Sequence, residues 1–170
     1  MTEQLDEEFR RFMQGRWPTM VRLAYGLTGD LGHAEDVAQA AFAKAYMSWP
    51  RVVRAGNPDA YVRRILINEN RTRFRRRRVR EFSTGSPPET GVPDALRHVD
   101  DRSALVAALR ALAPRQRAVV VLRYWLDLSE TETADTLGCS VGTVKNQASR
   151  ALATLRRSPG LSASVEGDVR

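Results

Sequence analysis

Apolar residues recur at three- and four-residue spacing through most of the chain, the repeat that lines one face of a helix. From Trp17 the positions Met20, Leu23, Ala24 and Leu27 keep that spacing, and Gly29 stands where such a helix would stop. A second helix is predicted to begin between Asp30 and Glu35 and to run through AEDVAQAAFAKAYMSW. In it Phe42, Tyr46 and Trp49 form an aromatic stripe beside Val37, Ala41 and Ala45, which reads as core packing, and Pro50 reads as its end. Asn57-Pro58-Asp59 then offers an N-cap, a first-turn proline and an acid near the positive helix end. This third helix is expected to turn Tyr61, Ile65 and Leu66 inward and to dissolve into RTRFRRRRVR.

The pattern resumes in SALVAALRAL, where Leu105, Leu109 and Leu112 share a face, and Pro114 opens a helix with the body RQRAVVVLRYWLDL. AVVVL alone would suit a strand; its place between a proline start and a two-helix motif favours helix. Ser129 with Glu132 three residues later is a capping box. Ala134, Gly138 and Val144 then carry the spacing of a helix-turn-helix. Crossed helices need a small residue at their contact, the corner favours Gly, and a buried apolar anchor fixes the second helix. That second helix carries Lys145, Arg150, Arg156 and Arg157. The expected fold is therefore all-α, with two small helical domains.

Charge divides the chain in the same place. The 170 residues carry a formal net charge of +7, which suggests nucleic acid or an anionic membrane surface as partner. Residues 51–80 hold eleven Arg/Lys against two acids, and 102–157 hold nine against four. Between them, 81–101 hold one Arg against five acids, and Ser86-Pro87-Pro88 and Gly91-Val92-Pro93 cannot continue a helix. The expected organisation is a first domain over 1–80, a flexible linker over 81–101, a second domain over 102–157 and a flexible tail over 158–170. Seven arginines among residues 71–80 repel one another, so the helix would fray unless anions relieve the repulsion. This favours nucleic acid, DNA or RNA, over a solvated face or a membrane surface, for which the apolar face is too thin.

Other function classes find little support. No run of about 18 apolar residues is present, so no membrane insertion is expected. The acidic opening MTEQLDEEFRRF has no secretory pattern, which points to the cytoplasm. The single cysteine, Cys139, leaves no disulfide and no zinc thiolates, and reads as a small half-buried residue. His33 and His98 stand far apart, no phosphate loop occurs and no nucleophile has a recognisable setting, so neither enzyme, metal nor cofactor is expected.

LAPRQRAVVVLRYWLDLSETETADTLGCSVGTVKNQASRAL resembles region 4 of the extracytoplasmic-function sigma factors, small bacterial RNA polymerase subunits that confer promoter recognition. GDLGHAEDVAQAAFAKAYMSW is similar to their regions 2.1 to 2.2, and NPDAYVRRILINENRTRFRRRR to regions 2.3 and 2.4. The resemblance covers about residues 9–157 in the family's order. AYGLTGD, AYVRR, LRYW and GCSVGTVK resemble the actinobacterial sigma-E-like branch.

The resemblance implies that Asp36 and Gln39 dock on the clamp helices of the polymerase largest subunit. Asp36 also reads as a first-turn acid favouring its helix dipole. Tyr61, Asn68, Asn70, Arg71, Arg75 and Arg76 are implied to meet the −10 element. The loop before that helix, PRVVRAGNP, is implied to help receive a flipped base. Lys145, Asn146, Ser149 and Arg150 are implied to meet the −35 element. Arg150 is suited to a bidentate guanine contact and Lys145 to phosphate. Ala40 stands where many members carry Glu, and Tyr61 where many carry Trp. Implied partners are core RNA polymerase, promoter DNA and an anti-sigma factor. A linker of about 21 residues reaches roughly 70 Å, comparable to two DNA turns of about 34 Å. A polymerase-independent helix-turn-helix regulator would leave the first basic block without a role, and an RNA-binding protein would leave the second.

Overall fold

The computed structural model describes residues 2–84, 101–159 and 161, and among them every regular element is helical. Helix α1 (Glu3–Thr28) ends where Gly29 turns left-handed at φ 70°, its N–H bonded to the Tyr25 carbonyl. It begins well before Trp17. Glu3 and Asp6 favour its positive end, and Phe9 and Phe12 fasten its first half, each with its ring centroid 5.1 Å from that of Trp49. Pro18 lies inside it, at the loss of one ladder hydrogen bond.

Helix α2 (Leu31–Met47) is capped by Asp30, whose Oδ1 accepts the His33 N–H at 2.8 Å. Pro50 then sits in the first turn of a short helix, α3 (Trp49–Arg54), so it opens a helix here. Of the aromatic stripe, Phe42 and Trp49 are buried while Tyr46 is exposed. Helix α4 (Pro58–Thr84) starts as expected, with Asn57 Oδ1 accepting the Ala60 N–H at 3.1 Å.

The arginine run does not dissolve α4, which continues to Thr84. Arginine is a good helix former, all ten residues from 71 to 80 face solvent, and water screens charges held apart there. Pairs at i,i+4 add support, Glu69 with Arg73 at 3.3 Å and Arg77 with Glu81 at 3.9 Å. The linker expected at 81–101 therefore begins inside α4; residues 85–100 lie outside the described residues, as do His98 and residues 162–170 of the expected tail.

The second half contains α5 (Asp101–Ala111), α6 (Pro114–Val120), α7 (Glu130–Leu137) and α8 (Val141–Arg156). AVVVL is helical, but from Val121 to Trp125 the turn widens to a π-helix, with the Leu126 N–H reaching back to the Val121 carbonyl at 3.0 Å. Asp127 follows at φ 58°. The capping box is formed in full, Ser129 Oγ accepting the Glu132 N–H at 3.0 Å and Glu132 accepting the Ser129 N–H at 2.8 Å.

The two halves pack against each other. Leu23 and Leu27 of α1 share one apolar cluster with Leu109, Leu112, Val121 and Leu122. The α7–α8 corner has a small core of its own around Ala134, Val144 and Ala148. Gly26 permits the close approach, since a Cβ there would stand 2.9 Å from Val121 Cγ1. Polar contacts close the edges: Arg22 Nη2 donates to the Trp125 carbonyl at 3.1 Å, and Arg110 Nε to the Thr28 carbonyl at 3.2 Å.

Candidate nucleic-acid and polymerase interface

Helix α8 presents the first candidate surface. Ser140 caps it by accepting the Thr143 N–H at 3.1 Å, and Gly138 makes the corner at φ 66°, a conformation that favours glycine. Val144, Ala148, Ala151 and Leu155 form the buried stripe. Lys145, Asn146, Ser149 and Arg150 all fall in the opposite, exposed sector, so the four −35 candidates are brought together. Lys145 Nζ lies 3.7 Å from Glu130 Oε2; the Arg150 guanidinium has no carboxylate partner among the described residues. Cys139 is half-buried beside the corner.

Helix α4 divides its candidates. Tyr61 is half-buried, while Asn68, Arg71, Arg75 and Arg76 are exposed, and helical periodicity places these five on one broad side. Asn70 stands roughly half a turn from Asn68, half-buried in a cleft against α6 whose edge Arg71 and Arg75 also line. Arg64 is exposed on the same side as Asn68, and its guanidinium donates to the Asp135 carbonyl of α7. Sequence reasoning missed it, although its seven-residue spacing to Arg71 was the available signal.

The buried carboxylate of Glu69 ties α4 to α2. It accepts from Lys44 of α2 and from Arg73 one turn on. The Lys44 hydrogen bond holds its carboxyl below the usual carboxylate range, against the opposing effect of burial and with help from Arg73. Arg63, in the first half of α4, is half-buried, and burial lowers its pKa while the carboxylates of Asp59 and Glu132 oppose the shift.

On α2, Asp36 and Gln39 are both exposed and one turn apart. Because α2 begins at Leu31, Asp36 lies beyond its first turn, which holds no acid. The dipole reading of Asp36 falls away, since that effect fades within a turn. Helical spacing extends the stripe from Asp36 and Gln39 through Ala43 to Met47, and Met47 is 84% exposed. Met47 is thus the one large apolar side chain on this exposed stripe of α2. Sequence reasoning passed over Met47, which follows Asp36 by eleven residues, three helical turns.

The sigma-70 region 2 family matches residues 16–80, and the sigma-70 region 4 family matches residues 102–155. An RNA polymerase sigma-E factor of Streptomyces coelicolor is 41% identical over 149 residues, which span 88% of this chain and 84% of that protein. The chain belongs to the extracytoplasmic-function sigma factors of the sigma-70 family. Another member, the sigma factor SigL of Mycobacterium tuberculosis, is 31% identical over 140 residues, 79% of each chain.

Solved sigma factors share the fold. The sigma factor RpoE of Bartonella quintana, in complex with the anti-sigma factor NepR, matches with a TM-score of 0.72 at 24% identity, over 88% of this chain and 95% of that one. CnrH, in complex with the cytosolic domain of CnrY, matches with a TM-score of 0.63 at 23% identity, over 96% and 90%. In this sigma factor, the region 2 match runs from within α1 through the arginine run of α4, and the region 4 match covers α5 to α8.

Proposed function

We propose that this sigma factor binds core RNA polymerase and directs promoter-specific initiation, reading the −10 element with α4 and the −35 element with α8. The observation that carries this reading is the presence, in one chain matching both sigma-70 regions, of two exposed cationic helices on separate halves and a further exposed stripe on α2. Asp36 and Gln39, joined by Met47, would dock on the clamp helices of the largest subunit. Tyr61, Asn68, Arg71, Arg75 and Arg76 would meet the −10 region, with Asn70 reaching it once α6 moves aside. Lys145, Asn146, Ser149 and Arg150 would meet the −35 region.

The functional division follows the expected domains, 1–80 and 102–157, with α4 carrying the first on to Thr84. The role is binding rather than catalysis, exercised in the cytoplasm beside the polymerase. No described helix is long and apolar enough to cross a membrane. An anti-sigma factor is a further partner class, as for RpoE with NepR.

Reconstitution tests the proposal. The purified chain should co-elute with core RNA polymerase and direct transcription from a specific promoter. DNA binding by the free chain should be weak and salt-sensitive, because the phosphate contribution dominates and recognition is divided between two halves. A tight, salt-insensitive, dimer-dependent footprint without polymerase would identify an ordinary helix-turn-helix regulator instead.

A further inference from the structure

A cleft of about 260 Å³ lies between α4 and α6, with Leu27 of α1 also in its lining. Its apolar wall is made by Leu27, Ile67 and Ala118, all buried, and by Phe74, which is 40% exposed. Arg71, Arg75 and Arg78 line it from α4, spaced to share one side of that helix, and Arg115 and Arg117 line it from α6. Among the described residues no carboxylate lines the cleft. Arg117 is a fixed cation, its guanidinium held by the carbonyls of Leu109, Arg110, Leu112 and Leu27. The other four arginines have no carboxylate partner among the described residues.

Five guanidinium groups around one apolar recess repel each other, and the four other than Arg117 turn their donors to solvent, an arrangement that an anion with several acceptor oxygens would satisfy. The recess favours a small ligand over a nucleic-acid strand. Its volume lies just below the range of small-molecule pockets, about 300 to 1,000 Å³, so a ligand would extend past its mouth, and its walls come from α4 and α6 with Leu27 of α1. The half-exposed Phe74 ring offers a surface for a planar group, as nucleic-acid proteins use aromatic side chains for bases.

We propose that this cleft binds an organic phosphate of the nucleotide class. The ring system packs on Phe74 and Ile67, and the phosphates are held by Arg71, Arg75, Arg78 and Arg115. Because both halves supply ligands, occupancy holds them together. On the reading of α4 as the −10 helix, occupancy also withholds Arg71 and Arg75 from promoter DNA.

The test is calorimetric titration of the full chain at physiological salt, where exposed phosphate attraction is screened, with ATP, inorganic triphosphate and adenosine as separate probes. ATP should bind saturably, triphosphate more weakly and adenosine weakest. Arg115→Ala, at an exposed site, should lower ATP affinity at least tenfold, and Phe74→Ala should lower affinity for ATP but leave triphosphate unchanged. No saturable ATP binding, equal binding of ATP and triphosphate, or undiminished ATP binding by Arg115→Ala would overturn the proposal. In a separate arm, Arg115→Ala should keep promoter-directed transcription with core polymerase while losing inhibition by added ATP in a promoter-DNA binding assay. Inhibition equal to the parent's would overturn the coupling. Absence of transcription by the parent would instead count against the sigma reading and leave the cleft to be judged by the titrations.

Discussion

Arg117 Nη1 of α6 donates to the Leu27 carbonyl in the last turn of α1, 2.9 Å away and 90 residues earlier in the chain. The same guanidinium serves the carbonyls of Leu109 at 2.8 Å, Arg110 at 2.9 Å and Leu112 at 3.0 Å, around the end of α5. Helix C-termini leave carbonyls without intrahelical donors, so one side chain completes two helix ends and joins the halves. Burial lowers the Arg117 pKa, with the nearby charge of Arg110 acting in the same direction; an arginine stays protonated regardless.

This junction predicts how the halves separate. Arg117→Leu should lower unfolding free energy by about 2–4 kcal/mol, through lost charged hydrogen bonds and part-buried carbonyls left unpaired. Gly26→Ala acts on the same seam by crowding Val121, where overpacking costs about 1–3 kcal/mol. Both variants should show a larger radius of gyration in small-angle scattering with helical circular dichroism retained. An unchanged radius in both would show that this junction does not hold the halves together.

What the sequence made legible was local. The Ser129–Glu132 box, the Asn57 cap and the Gly138 corner each depend on residues within a few positions, and each formed as its spacing implied. Proline was ambiguous because its meaning depends on register: Pro50 opens α3, and Pro18 is tolerated inside a helix held by aromatic packing. The arginine run was read through repulsion alone, while intrinsic propensity and solvent screening decided the outcome. The quartet on α8 came from the resemblance to the sigma family, which could not give the placement of Asn70 in the cleft, since that needs the position of α6. Nothing local to Leu27 or Arg117 announces that they meet.

Glu69 predicts a pH dependence. Its folded pKa is depressed, chiefly by Lys44, so its contribution is present above the ordinary glutamate value of about 4.3 and is lost as pH falls through the folded value. Glu69→Gln should cost about 1.5–3 kcal/mol at pH 7, and the gap between parent and variant should narrow from pH 5 to pH 3. Urea unfolding at several pH values reads this directly. A gap that stays constant to pH 3 would mean that the ion pairs contribute nothing.

On α8, the partner of each cation separates two kinds of contact. Arg150 is exposed without a carboxylate partner among the described residues and is suited to a bidentate base contact, so Arg150→Ala should cost about 1–3 kcal/mol and relax preference at one −35 position. Lys145 must leave Glu130 to reach DNA, and Lys145→Ala should weaken all promoter variants alike and reduce the salt slope by about one. Transcription across a −35 variant panel with saturating core polymerase measures both. Equal loss on every promoter for Arg150→Ala would make it a phosphate contact.

The α2 stripe predicts a loss of polymerase binding without a loss of fold. Asp36 and Met47 are both exposed, and neither belongs to the apolar core or has a side-chain partner among the described residues. Surface substitutions of this kind usually change stability by less than about 0.5 kcal/mol, whereas charge reversal within an interface brings like charges together at a cost of several kcal/mol. Asp36→Arg and Met47→Asp should therefore keep the parent's circular dichroism and melting temperature, yet each should bind core enzyme at least tenfold more weakly. Arg150→Ala serves as the control, keeping core binding while losing −35-dependent transcription. If folded Asp36→Arg binds core as the parent does, the docking face is not centred on Asp36; if Met47→Asp alone retains binding, the interface stops short of the last turn of α2.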